Sequence, residues 1–319
     1  MPSLGAVPHS RGFAIEKGSD ERHVRSDGHP PVTNRFNSNV GTDRTGRCLY
    51  FFSLESSQMK ALIYADVVAR PGRRALLDSL PTLKERHRPD IVMINAENVA
   101  GGLSITPDLA DELFAAGVDV MTSGNHIFDK PEIIPYIESN PRLIRPANYP
   151  PGTPGKGVFI GEVGGHRIAV VNLMGRLFMQ TCDDPFRAAE QMLAEIPEDI
   201  KTIFVDLHCE ATSEKYALGW FLDGRVSAVY GSHTHVQTAD ERILDQGTAY
   251  ISDVGMTGSY AGVIGMEREG VIKRFTSHPN PKAGQAKGQL WACAILVDVD
   301  DETGRARSIE RIRHELEGE

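Results

Sequence analysis

From Met59 onward, short apolar runs alternate with stretches of helical spacing, and this alternation constrains the fold more than any other feature. Residues 61–68 form an apolar run of strand length, and 73–87 then carry Leu76, Leu77, Leu80 and Leu83 at helical spacing. A second strand is predicted over 90–95. The helix predicted over 106–116 opens on Thr106-Pro107, a capping residue followed by proline at the first helical position. A strand at 118–121 and a helix near 131–138 complete a βαβαβα rhythm, which implies a mostly parallel sheet with helices packed on it. Runs at 158–163 and 168–173 flank Gly164-Gly165 and read as a hairpin. A helix over 184–195 and strands at 202–207, 226–230, 248–253, 270–276 and 290–298 make the second half β-rich. The pattern predicts an α/β class protein, a mixed sandwich, with 59–319 as a single domain.

Residues 1–58 lack this rhythm. They are rich in Gly, Pro, Ser and Asn, and their one apolar cluster is Cys48-Leu49-Tyr50-Phe51-Phe52. So little apolar surface cannot offset the entropy of ordering the chain. The stretch reads as a disordered tail, or as residues translated from a start placed too far upstream. It is not a signal peptide, because no apolar core of 7–15 residues follows its basic residues.

Composition narrows the function. With 40% hydrophobic and 24% charged residues, the chain has an ordinary globular make-up. No run reaches the roughly 18 apolar residues of a membrane span, so no membrane association is expected and a cytoplasmic location is the default. The net charge of −9 argues against a nucleic-acid partner. Four scattered cysteines, Cys48, Cys182, Cys209 and Cys293, form no CxxC pair and suit a reducing compartment.

Ligands of open α/β sheets bind beyond the carboxyl ends of the strands. Five such ends carry metal-competent side chains: Asp66; Glu97 and Asn98; Asn125 and His126; His208; and His233 with His235. A lone strand-end aspartate is ordinarily a helix cap, and a lone histidine ordinarily an internally hydrogen-bonded residue. Their coincidence at five strand ends points to a metal site. Carboxylate, carboxamide and imidazole donors without thiolate suit iron, manganese, zinc or similar divalent ions and do not identify one. So many donors exceed the four of one tetrahedral site. Ion pairs ~3.5–4 Å apart are typical of phosphoester hydrolysis. Bound cations would also let an acidic protein hold an anionic substrate.

At these residues the sequence resembles the calcineurin-like metallophosphoesterases, with Gly124-Asn125-His126 and Gly231-Ser232-His233-Thr234-His235 as their GNH and GHxH motifs. Two departures, Val68 for the histidine of D-x-H and Glu97 for the bridging aspartate, make it similar to the narrower YmdB-type bacterial phosphodiesterases. The resemblance spans about 59–314 and includes INAENVAGG (94–102), HCEATSEKYALGW (208–220) and SDVGMTGSYAGVIGM (252–266). It implies an α/β/β/α sandwich of two mixed sheets flanked by helices. It also implies that Asp66, Asn98 and His235 bind one ion, that Asn125, His208 and His233 bind the other, and that Glu97 bridges them. By the same resemblance, a hydroxide held between the ions attacks phosphorus and His126 protonates the leaving oxygen. The implied substrate is a small phosphodiester such as a 2′,3′- or 3′,5′-cyclic nucleotide. The alternative is a metal-binding regulatory protein that acts through a partner and hydrolyses only incidentally. A proton donor at His126 favours the enzyme. A homo-oligomer would be ordinary.

Three further features are weighed. Arg145, Arg176 and Arg225 are candidate phosphate contacts, although a loop arginine is ordinarily an ion-pair partner. The run 255–262 has the composition of a substrate-flanking loop. Gly152, Gly155 and Gly157 match no nucleotide-binding fingerprint. Whether Asp129 orients His126 is left open.

Overall fold

The computed structural model describes residues 38–42, 48–52, 58–277 and 283–316. The chain divides into two units, Met1–Leu54 and Glu55–Glu319. In the first, strands β1 (Ser38–Thr42) and β2 (Cys48–Phe52) pair antiparallel, with Ser38 opposite Phe52. The apolar cluster is therefore β2, a paired strand within the stretch expected to be a coreless tail. The rest of the tail expectation lies outside the described residues.

The second unit begins with β3 (Gln58–Tyr64), α1 (Ala69–His87), β4 (Ile91–Asn95), α2 (Pro107–Ala115), β5 (Val120–Thr122) and α3 (Ile133–Ser139). The hairpin β6 (Val158–Val163) and β7 (His166–Met174) follows, then α4 (Pro185–Glu195), β8 (Thr202–His208), α5 (Thr212–Leu222) and β9 (Ala228–Ser232). Last come β10 (Arg242–Ile243), β11 (Ala249–Ile251), β12 (Gly258–Ser259), α6 (Arg268–Thr276), β13 (Leu290–Asp300) and β14 (Ala306–Glu315).

One sheet has the order β10-β11-β9-β8-β7-β6, and the other β12-β13-β3-β4-β5 with β14 paired along β13. Within them β3, β4 and β5 are parallel, as are β7, β8, β9 and β11. The period-two alternation of β3 sorts its side chains between two cores. Ala61 and Ile63 join Met93, Val170, Phe204, Tyr230 and Val297 in a core built from both sheets. Leu62 and Tyr64 face the other way, toward Leu76, Leu80 and Leu83 of α1, Leu113 of α2 and Ile137 of α3. On the second sheet, Val171, Val205 and Val229 likewise meet Ala188 of α4 and Leu218 and Leu222 of α5. The result is an α/β/β/α sandwich whose central strands are buried on both faces.

Two expectations are corrected. The segment 270–276 is not a strand but most of α6. Its β-branched Val271-Ile272 pair suggests extension, yet its burial has helical period: Val271 is buried and Ile272 is 54% exposed. Glu269 in the first turn and Lys273 and Arg274 in the last complement the helix dipole. The edge strand β14 is absent from the predicted elements, because its Arg- and Glu-rich sequence buries little. Thr106 does sit at the cap of α2, but its hydroxyl makes no capping bond, whereas Asp184 of α4 accepts from the Phe186 amide at 2.9 Å.

The layer assignment has a stability test. Ile63→Ala should cost about 2–5 kcal/mol, because it empties space between the sheets. Ile272→Ala, on the open face of α6, should stay within about 0.5 kcal/mol. Urea denaturation of the two variants checks both.

Candidate metal and phosphoester site

Each candidate side chain lies at the carboxyl end of a parallel strand. Asp66 follows β3, Glu97 and Asn98 follow β4, and Asn125 and His126 follow β5; His208 ends β8, and His233 and His235 follow β9. Three strands belong to one sheet and two to the other, and their side chains meet across the sandwich. Asp66 Oδ2 accepts from the His233 amide at 2.9 Å, and its Oδ1 lies 3.8 Å from His235 Nε2. His208 Nε2 lies 3.0 Å from Glu97 Oε1, 3.1 Å from Asn125 Oδ1 and 3.0 Å from His233 Nδ1.

This donor set fits cations. Nε2 of His208 cannot satisfy three acceptor-capable neighbours with one proton, whereas a cation among them can. Glu97, His208 and His233 each offer a ligand atom, all within 4.8 Å of one another. A second group of donors adjoins them. Asp66 Oδ1 and Asn98 Oδ1 are buried with no hydrogen-bond partner, an expensive state that a bound cation would relieve. The Asn98 amide is oriented by its Nδ2, which donates to the Gly102 carbonyl at 3.0 Å.

Each imidazole is held through its far nitrogen, which leaves the near one for a ligand. His208 Nδ1 donates to Ser232 Oγ at 2.9 Å, and Ser232 donates to Asp206 Oδ1 at 2.6 Å. Asp206 also accepts from Asn95 Nδ2 at 3.0 Å and from Thr122 Oγ1. His233 Nε2 donates to Glu210 at 3.2 Å, and His235 Nδ1 donates to the Ile264 carbonyl at 3.2 Å. Gly124 makes the approach possible, since a Cβ there would overlap both the His208 ring and Glu97 Oε2.

The electrostatics follow from burial and pairing. Burial raises the Glu97 carboxyl, but the adjacent His208 outweighs it and brings Glu97 to about 2. Burial lowers His208, yet Glu97 and the nearby aspartates lift it to about 9. His233, lowered by burial and by His208, falls to about 3 and is neutral. Asp66 is raised by burial against the pull of His235. Without a metal, Glu97 and His208 therefore form a buried ion pair, and a bound ion must displace the His208 proton.

His233 and His235 both have left-handed backbone, with φ of 91° and 64°. A buried ion pair fixes the strained turn between them. Lys215 Nζ of α5 donates to the Ser232 carbonyl and to Asp253 Oδ2, both at 2.8 Å. The same carboxylate oxygen accepts from the Thr234 amide at 3.1 Å and its hydroxyl at 2.6 Å. Asp206, Glu210, Lys215 and Asp253 escape sequence reading. Asp206 sits inside the strand pattern of β8 and Lys215 inside a helix, where nothing local separates them from structural residues.

His126 lies at the edge of the cluster. Its amide donates to Glu97 Oε2 at 3.0 Å, and its Nδ1 lies 2.7 Å from Asp129 Oδ2. Asp129 does therefore orient His126, and Nε2 is left for the cleft that the residue lines. The cleft measures about 630 Å³ and is also lined by Glu97, Asn98, His233 and His235. The three candidate arginines line other places. Arg145 braces its own loop through the Pro146 carbonyl at 2.7 Å, Arg176 pairs with Asp184 at 3.2 Å, and Arg225 pairs with Glu190 at 2.8 Å. The 255–262 run lies mostly beneath the site, where the Thr257 amide donates to the Asp66 carbonyl at 2.9 Å. The residues just after it, Val263, Ile264 and Met266, line the cleft.

Two back-to-back mixed sheets with carboxylate, amide and imidazole donors at their carboxyl ends match the architecture implied by the resemblance to the metallophosphoesterases. Comparison with known proteins gives the family. The model of the YmdB-like protein family matches residues 62–312. The chain is 48% identical over 254 residues to the 2′,3′-cyclic-nucleotide 2′-phosphodiesterase of Bacillus subtilis (strain 168), covering 80% of this chain and 96% of that one. Among solved structures, a hypothetical protein from Thermus thermophilus shares 43% identity with a TM-score of 0.76, over 81% of this chain and all of that one. A Mycoplasma pneumoniae protein described as a novel phosphatase shares 30% identity with a TM-score of 0.77, over 82% and 94%. The chain belongs to the YmdB-like family of calcineurin-like metallophosphoesterases.

The supporting residues have measurable roles. Lys215→Met should cost about 3–5 kcal/mol, because Asp253 is left buried and unpaired. Ser232→Ala should weaken Mn²⁺ binding roughly 10–100-fold by freeing the His208 ring. Chemical denaturation and metal titration read the two effects.

Proposed function

We propose that the chain is a binuclear metal-dependent phosphodiesterase that hydrolyses cyclic nucleotide monophosphates, 2′,3′-cyclic esters above all. The observation that supports the reading is the cluster of Glu97, His208 and His233, with the unpartnered oxygens of Asp66 and Asn98 nearby and His126 bonded to Glu97 through its amide. Asp66, Asn98 and His235 would hold one divalent ion and Asn125, His208 and His233 the other, with Glu97 between. Iron or manganese suits these donors, and zinc also fits. Bound ions would supply charge for the phosphoryl oxygens and an acidified water. The 2′,3′-cyclic preference is supported by the activity named for the Bacillus subtilis relative.

The chain's own residues do the rest. Asp129 takes the Nδ1 proton of His126 in a hydrogen bond, so the ring presents Nε2 to the cleft. Cleavage of one P–O bond of a cyclic ester releases a ribose alkoxide, a poor leaving group that needs a proton. His126 Nε2 delivers it, and an imidazole suits that task near neutral pH.

Residues 59–319 constitute the catalytic domain in this reading, and residues 1–58 take no part in it. No helix among the described residues is long and apolar enough to cross a membrane. Cys182, Cys209 and Cys293 are free thiols, which supports a cytoplasmic location.

The test is an assay of the Mn²⁺-loaded chain on 2′,3′-cAMP, 3′,5′-cAMP and bis(p-nitrophenyl) phosphate. Absence of turnover on all three sinks the proposal. His126→Ala should lower kcat on 2′,3′-cAMP about 10²–10⁴-fold. Its loss on the nitrophenyl ester should be much smaller, because nitrophenolate leaves without a proton. Asn125→Ala and treatment with a chelator should each remove activity. Deleting residues 1–58 should leave both turnover and melting temperature unaltered, and a drop in either would assign the segment a structural role.

A further inference from the structure

The cleft changes character away from the ion-binding residues. Its outer wall is apolar and open: Leu103, Ile264 and Phe275 are 47%, 52% and 83% exposed. Large apolar side chains clustered on one wall and left in water mark a binding surface. Val271, Arg274 and Phe275 of α6 line the cleft at i, i+3 and i+4 spacing, so one face of that helix builds the wall. Arg274 is the one lysine or arginine among the described lining residues.

Ile264 ties this wall to the metal site. Its φ of 45° is a left-handed backbone that a β-branched residue adopts only under constraint. In that conformation its carbonyl accepts from His235 Nδ1 and its side chain lines the cleft. Strain of this kind persists where function holds it. A single residue thus orients a candidate metal ligand and shapes the pocket beside it.

Resting on the phosphodiesterase reading, we propose that Leu103, Ile264 and Phe275 form the subsite for the heteroaromatic base of the substrate, with Phe275 as its stacking platform. Three observations select this occupant. The wall is continuous with the residues that would hold the phosphate. The cleft volume of about 630 Å³ lies within the range of sites for ligands of this size. The exposed Phe275 ring and the Arg274 cation beside it are the groups that hold a base by its π face. Stacking accepts any base, so the subsite selects nucleotides over base-free phosphodiesters without choosing sharply among bases.

The test compares two ligands on the Mn²⁺-loaded full chain by calorimetry: adenosine 3′-monophosphate and the base-free 1-O-methylribose 3-phosphate. The wild type should bind the nucleotide at least about tenfold more tightly. Phe275→Ala should remove most of that preference and Phe275→Trp should retain it. Phe275 is exposed, and matching circular dichroism would confirm that the variants fold. Equal affinity for the two ligands, binding of neither, or a preference that survives Phe275→Ala and Leu103→Ala would each overturn the subsite. Turnover of 2′,3′-cAMP is scored separately. A base preference without turnover would leave the subsite standing and refute the phosphodiesterase reading.

Discussion

The site depends on one contact between the two sheets, Glu97 Oε1 against His208 Nε2 at 3.0 Å. Both groups are buried, and a buried ion pair is a poor source of stability because desolvation consumes most of its Coulombic gain. What the contact does is fix geometry. It brings the ends of β4 and β8 together, places Asn125 and His233 around one nitrogen, and requires glycine at position 124. Behind it, Ser232 accepts from the far nitrogen of His208 and donates to Asp206, which also accepts from Asn95 and Thr122. A partly satisfied network here would be worse than an apolar core.

The sandwich explains why the centre is legible in the sequence. Strands buried on both faces appear as largely apolar runs, so the metal-competent residues at or just beyond their carboxyl ends stand out: Asp66, Glu97, Asn125, His208, His233. Topology then brings these ends to one edge of the sandwich. The supporting residues leave no such mark. Asp206 is a polar residue inside an apolar strand, and its purpose emerges only when Ser232 and His208 are seen beside it. Lys215 and Asp253 are far apart in sequence and meet only in the fold. The helix α6 reads as a strand because Val271 and Ile272 favour extension, while its true conformation is settled by what its face covers. That misreading conceals Arg274 and Phe275, which line the cleft.

Rigidity and strain are divided between the two sides of the site. Asp66, Glu97 and Asn125 follow strands of one sheet and have ordinary backbone angles. His233 and His235 instead sit on a turn with two left-handed residues, and Ile264 beside them is a third. The Lys215–Asp253 pair holds this side in place through Thr234. The two sides therefore respond differently to mutation: truncation near β3 to β5 removes a candidate donor, whereas truncation near β9 removes one and also releases a conformation.

The candidate donors come from both sheets, which bears on how the site matures as the chain folds. A chain that has assembled only β3 to β5 presents oxygen donors and no imidazole from the second sheet. One that has assembled only β7 to β9 presents imidazoles without the carboxylates. Each half offers only part of the proposed donor set, so the complete set of carboxylate, amide and imidazole donors exists only after the two sheets have closed on each other.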